Sequence, residues 1–183
     1  MHVEGDFRLY EMPGAQILDL PYESSPLTMS VVLPRTASGL PSGAADIATL
    51  LLILLEQLDR MRVRPVDVYL PRFRIDARAP IGGALRALGI ELAFDPRHAD
   101  FSGMTPNADN LCLGAIQHRA VLEVNEAGAI AAAATNLGVV ELGLSAVPRE
   151  RPVFRADRPF LIVIRDARTN NILFLGRVMD PRF

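Results

Sequence analysis

Glu126-Ala127-Gly128-Ala129-Ile130-Ala131-Ala132-Ala133-Ala134-Thr135-Asn136-Leu137-Gly138-Val139-Val140-Glu141-Leu142-Gly143-Leu144-Ser145-Ala146-Val147 is the stretch on whose reading the fold turns. It contains no proline in a chain that has 14, and only Glu126 and Glu141 carry charge. Propensity alone makes the alanine run a helix of a few turns between Gly128 and Gly138, because Ala is the best helix former and is depleted in strands. A second reading takes it as a segment able to enter the middle of a sheet. A proline there would delete a ladder hydrogen bond, and alternate side chains must be small and uncharged to pass into a packed interior. Ala129, Ala131, Ala133 and Thr135 meet that requirement at one parity, and Ile130, Ala132, Ala134 and Asn136 would face outward. Composition does not separate the two readings, since a short alanine helix satisfies it too.

Outward from this stretch the chain is a mixture of strands and helices. Phe7 to Met12 and Ala15 to Leu20 are apolar-rich runs around Pro13-Gly14 and are expected as paired strands. Leu27 to Leu33, closed by Pro34, is a third strand. A Gly, Ser and Pro-rich segment, Thr36 to Gly43, precedes a helical pattern from about Ala44 to Met61. It is apolar along most of its early length, which predicts a largely buried helix. Val66 to Leu70 and Phe73 to Asp76 alternate as strands do, and Ile81 to Leu88 is a short helix stopped by Gly89. Asp95 to Asn110 is loop around a helical turn, and Leu111 to Glu123 is strand-like. Pro159 to Ile164 and Ile172 to Leu175 form a hairpin of two buried strands across Asp166-Ala167-Arg168-Thr169-Asn170-Asn171. No internal repeat or regular alternation is present, so the class is α+β.

Composition removes several functions. The 183 residues are 50% hydrophobic and 22% charged, enough for one sizeable core. Net charge is −2 and all 19 basic residues are Arg, so no basic excess points to nucleic acid. Cys112 is the only cysteine, which excludes an internal disulfide and a cysteine-based zinc cluster. The longest apolar stretch, Ile47 to Leu55, is far short of the roughly 20 residues of a membrane-spanning helix. No signal peptide is visible at Met1. Ser102, Ser145 and His118 lack a nucleophile-elbow context, and His2 and His98 have no metal-ligand spacing, so no catalytic residue, cofactor or metal is expected.

The flanks of the alanine-rich stretch decide between its readings. His118-Arg119-Ala120-Val121-Leu122-Glu123-Val124-Asn125 followed by Glu126 to Thr135 resembles the end of the fifth strand of the main sheet of a serpin, the mobile-loop protease inhibitor family, with the family's hinge after it. Ala156 to Asp166, and Ile172 to Val178 through Pro181, are similar to the family's C-terminal signature. Leu18-Asp19-Leu20-Pro21-Tyr22, Met29-Ser30-Val31-Val32-Leu33-Pro34 and Leu70-Pro71-Arg72-Phe73 match three more blocks in order. The resemblance covers nearly the whole chain. It departs where Ala129 stands for the usual threonine and Asp180 for the usual asparagine, and residue 1 falls after the family's N-terminal helices.

The resemblance implies an incomplete serpin-like α+β domain over 1–183, lacking the N-terminal helices and part of the main sheet. Its reactive loop is expected at about 126–152 and its C-terminal hairpin at about 159–178. Glu126, Gly128, Ala129, Ala131, Ala133 and Thr135 are then the hinge, and His118 belongs to the region that opens to admit the loop. Family spacing puts the scissile bond at Leu142-Gly143. The stretch from there to Pro159 is longer than usual, which makes Leu144-Ser145 an alternative. The implied activity is inhibition of a serine endopeptidase by suicide-substrate loop insertion. Its partner would be a protease with a hydrophobic primary pocket, of chymotrypsin, elastase or subtilisin type, acting extracellularly or in the cell envelope. Neither nucleic acid nor membrane is an expected partner. The 183 residues alone are expected to be inactive, because the strand on one side of the inserting loop precedes this sequence. A non-inhibitory serpin-like binding protein and a degenerate gene remnant are the alternatives.

Overall fold

The computed structural model describes residues 1–40, 43–104, 111–125 and 151–181. It carries nine strands and two α-helices among them, with three short 3-10 turns. The described residues fall into two compact units, one made of Met1–Phe73 with Val124–Phe183 and the other of Arg74–Glu123.

The larger unit is built on a seven-stranded sheet. Its strands are β1 (His2–Met12), β2 (Ala15–Pro21), β3 (Leu27–Pro34), β4 (Arg62–Tyr69), β7 (Val153–Arg155), β8 (Phe160–Asp166) and β9 (Ile172–Val178), in the order β7-β4-β1-β2-β3-β8-β9. All pairings are antiparallel except β4 with β7. Pro13-Gly14 turns β1 into β2, and the register Met12↔Ala15 leaves only those two residues in the loop. The strand pairing expected at both ends of that turn is therefore present, with β1 starting earlier, at His2.

Strands β2, β3 and β8 are buried on both faces, as continuous apolar runs require. Ala15, Ile17, Val32, Leu161 and Val163 form one face of β2, β3 and β8 and pack with Leu54, Leu58 and Met61 of the helical segment. On the opposite face Leu18, Leu20, Met29, Val31 and Ile162 are as fully buried. Helix α1 (Ala44–Gln57) and the turn Leu58–Arg60 fill the expected helical span. Its burial is less than its composition predicted. Leu50, Leu51, Leu54, Leu55 and Leu58 make the i, i+4 stripe that meets the sheet, whereas Leu52 points away and is 63% exposed.

The C-terminal hairpin β8–β9 corrects a second expectation. β8 is buried along six of its seven residues, but β9 is the edge of the sheet, and Ile172, Leu173, Phe174 and Leu175 are all exposed. An apolar run constrains only what a strand can bury; its place in the sheet order decides whether a neighbour covers it. Strand β7 is an addition: three residues are too few for periodicity to reveal.

The smaller unit contains α2 (Gly82–Ala87), a turn at Leu92–Phe94, and all but the outer residues Phe73 and Val124 of β5 (Phe73–Pro80) and β6 (Gln117–Val124), which are paired. Gly89 ends α2 at φ +92, the left-handed conformation that glycine takes at no steric cost. Leu111–Ile116 is not strand: β6 starts at Gln117, six residues later than the apolar pattern suggested. Among the described residues, no helix is long and apolar enough to cross a membrane.

Candidate functional site: the segment between β6 and β7

Residues 126–150 join β6 to β7. The hinge positions Glu126, Gly128, Ala129, Ala131, Ala133 and Thr135 lie outside the described residues, as do both candidate scissile bonds, Leu142-Gly143 and Leu144-Ser145. Their flanks are described, and the two flanks are built differently.

The upstream flank, β6, is a mostly exposed strand with its pattern alternating only near its end, where Val124 is buried. Among the described residues it pairs with β5 alone. Arg119 donates Nε to Asp76 Oδ1 at 2.8 Å and Nη2 to Oδ2 at 2.5 Å, a fork-on-fork pair between the two strands. These bonds hold the Asp76 carboxyl below its usual range and raise the Arg119 guanidinium. Arg74 and Glu123 make a longer ion pair of 4.0 Å on the same two strands. His118 lies on β6 and is exposed to solvent rather than buried in a core.

The downstream flank is pinned into the large sheet. Asp67 donates its N–H to Pro152 O at 3.0 Å, and Ala156 donates to Tyr69 O at 2.9 Å, so both ends of β7 are tied to β4. Phe154 and Ala156 are fully buried. Arg155 places its guanidinium 4.0 Å over the Tyr69 ring, and Arg158 donates Nε to Pro34 O at 2.7 Å. Arg151 donates Nη1 to Glu4 Oε2 on β1 at 2.6 Å. Arg residues in this region thus bind across strands, a role that their spacing in the sequence does not reveal.

The remaining histidines have structural surroundings. His98 bonds through Nδ1 to Asp95 Oδ2 at 2.7 Å, while Asp95 Oδ1 accepts the Arg97 N–H at 2.8 Å. The Arg97 N–H comes first among the groups that lower the Asp95 carboxyl, with His98 next. This is a turn that closes on its own aspartate. Ser102 likewise donates its N–H to Asp100, in a turn remote in sequence from His118. His2 stacks on Tyr69 at 4.2 Å, and Glu4 and Asp67 are directly opposite on β1 and β4. Sequence reasoning missed that grouping. His2 and Glu4 share a strand face by their spacing of two, but only strand pairing brings Asp67 to them.

Comparisons with known proteins agree with this architecture. The family model for serpin (serine protease inhibitor) matches residues 1–181. The chain is 36% identical to antithrombin-III of Homo sapiens over 99% of its own length and 38% of that protein's. It is 37% identical to serpin B4 of Homo sapiens over 96% of its length and 44% of that protein's. Its fold is similar to that of uncleaved ovalbumin, with a TM-score of 0.76 and 32% identity, over 99% of this chain and 47% of that one. The chain thus spans less than half the length of these relatives. With six ordered sequence blocks, a matching fold and a family match along nearly its whole length, the chain belongs to the serpins, a family of protease inhibitors.

Proposed function

We propose that residues 1–183 are part of a serpin domain that inhibits a serine endopeptidase by suicide-substrate loop insertion, with the reactive loop at about 126–152. The observation that carries this reading is the proline-free run of small residues leaving β6, a strand that among the described residues is paired on one side only. Ala129, Ala131, Ala133 and Thr135 would turn inward as the loop joins the sheet, with Glu126 and Gly128 at its pivot. His118, on the same β6, would stand in the region that parts. The pinned strand β7 supports the same reading, because a loop that moves at one end needs a fixed point at the other.

The chemistry is as follows. The protease serine Oγ attacks the Leu142 carbonyl carbon, its proton passes to the Gly143 nitrogen, and the Leu142–Gly143 bond breaks to leave an ester. Insertion of the freed loop then adds a full strand of backbone hydrogen bonds and carries the ester away from hydrolytic geometry before water attacks. A leucine before the cut suits a hydrophobic primary pocket of chymotrypsin, elastase or subtilisin type. Leu144-Ser145 is the second candidate bond. An extracellular or envelope location belongs to this proposal.

Inhibition requires a strand to flank the loop on the side away from β6, and among the described residues β6 pairs with β5 alone, so the 183 residues tested by themselves are expected to be a substrate. Incubation with chymotrypsin should give cleavage after Leu142 or Leu144, read by mass spectrometry, with no SDS-stable adduct. An adduct formed by the 183 residues alone would overturn the substrate assignment, and absence of cleavage throughout 126–152 would overturn the reactive loop.

A further inference from the structure

We infer that His2, Glu4 and Asp67 form a binding site for a zinc-class divalent cation, held closed in this structure by Arg151. One imidazole and two carboxylates present ligand atoms that lie within 4.8 Å of one another. Strand geometry makes this grouping. His2 and Glu4 are two residues apart on β1 and therefore share a face, and the register Glu4↔Asp67 sets the second carboxylate directly across from the first. Two facing carboxylates repel each other unless a cation lies between them.

The charge now serving that need is Arg151. Its Nη1 is 2.6 Å from Glu4 Oε2 but 3.9 Å from Asp67 Oδ1, beyond hydrogen-bond distance. Among the described residues, Asp67 Oδ1 is shielded from solvent and has no hydrogen-bond partner, although the side chain as a whole is 26% exposed. A buried carboxylate oxygen without a donor is costly, and it is the atom that a cation would satisfy. The third ligand is already oriented: the His2 ring lies flat on Tyr69, with 6° between the planes, and Arg155 is also packed on Tyr69. The Met1 ammonium donates to Leu70 O at 2.8 Å and is not part of the set.

Zinc takes imidazole nitrogen and carboxylate oxygen at about 2.0–2.2 Å, so its ligand atoms stand roughly 3–4 Å apart. Rotation of the exposed Glu4 carboxylate off Arg151 and toward Asp67 closes the set. The mixed nitrogen and oxygen donors favour a borderline cation over calcium or magnesium, and leave a fourth position for water. The cation and the Arg151 guanidinium therefore compete for Glu4.

Calorimetric titration of the whole chain with Zn²⁺ tests this. One equivalent should bind. His2→Ala and Asp67→Asn should each weaken binding at least tenfold, whereas Arg151→Gln should strengthen it because the competitor is gone. His2 is exposed, so His2→Ala keeps the test valid if Asp67→Asn fails to fold. A chain extended by several residues ahead of Met1 should bind equally. Binding that is unchanged in His2→Ala, or that disappears in the extended chain, would overturn the site.

Discussion

Arg165 on β8 donates Nη2 to the Asp19 carboxylate on β2 at 2.5 Å, an ion pair whose two side chains are almost wholly buried. The strands are not neighbours. β3 runs between them, and its Ser30 hydroxyl donates to Asp19 Oδ1 while receiving Arg165 Nε at 3.3 Å. Arg165 Nη1 donates to Asn170 Oδ1 at 3.0 Å in the turn that leads to β9. A buried charge is tolerated only when it is paired and hydrogen-bonded, and here three strands and one turn supply the partners.

Removing one member of that network strands the other. Asp19→Ala should destabilise the chain by about 3–5 kcal/mol, the usual cost of an uncompensated buried charge. Ser30→Ala should cost about 1 kcal/mol, one net hydrogen bond. Replacing Asp19 and Arg165 together by apolar residues of matching volume should recover most of the larger loss. Urea unfolding of the four proteins gives the comparison; a near-zero effect of Asp19→Ala would show that the pair contributes nothing.

The helix offers a contrast between positions two residues apart. Leu54 is fully buried in the cluster with Ile17, Val32 and Leu161, so Leu54→Ala should cost about 2–5 kcal/mol. Leu52, 63% exposed, should change stability by roughly 0.5 kcal/mol or less when replaced by Ala. Equal losses at both positions in urea unfolding would mean that the helix is covered on its outer side as well.

Acid should loosen the β8–β9 turn. Arg168 donates Nη2 to Asp166 Oδ2 and its backbone N–H to Oδ1, both at 2.8 Å, and these bonds bring the Asp166 carboxyl down from 3.8 to about 2. A depressed carboxyl contributes stability that is complete above its unfolded value and is lost as pH falls through its folded one. The loss belongs between about pH 4 and pH 2. Asp166→Asn should flatten the pH dependence of the unfolding midpoint in that window alone; an unaltered profile would show that the turn does not sense Asp166.

The proposed reactive bond makes a prediction about sequence specificity. Leu142→Asp should reduce chymotrypsin cleavage at 142–143 at least tenfold, since a charged side chain cannot enter an apolar pocket without losing its hydration. Cutting should then shift to Leu144. Mass spectrometry of timed digests reads both sites, and undiminished cleavage after residue 142 would remove it as the specificity-determining position.

Much of the fold is legible locally. Pro13-Gly14 between two apolar runs marks the β1–β2 hairpin, Pro34 closes β3, and Gly89 stops α2 where a left-handed residue is needed. Longer-range outcomes are not. The apolar run Ile172 to Leu175 does not disclose that β9 is an edge, and the run Ile47 to Leu55 does not disclose which stripe of α1 the sheet receives. Both depend on neighbours distant in sequence.

The sequence by itself determined the α+β class, the strands around their turns, and the family, because the ordered blocks and the small-residue run are properties of the linear chain. Tertiary structure decided which strands lie beside which. Only that order sets Asp19 within reach of Arg165 across 146 residues and Asp67 opposite Glu4. Charges at those separations meet only through sheet register, and register is a property of paired strands that neither strand carries alone.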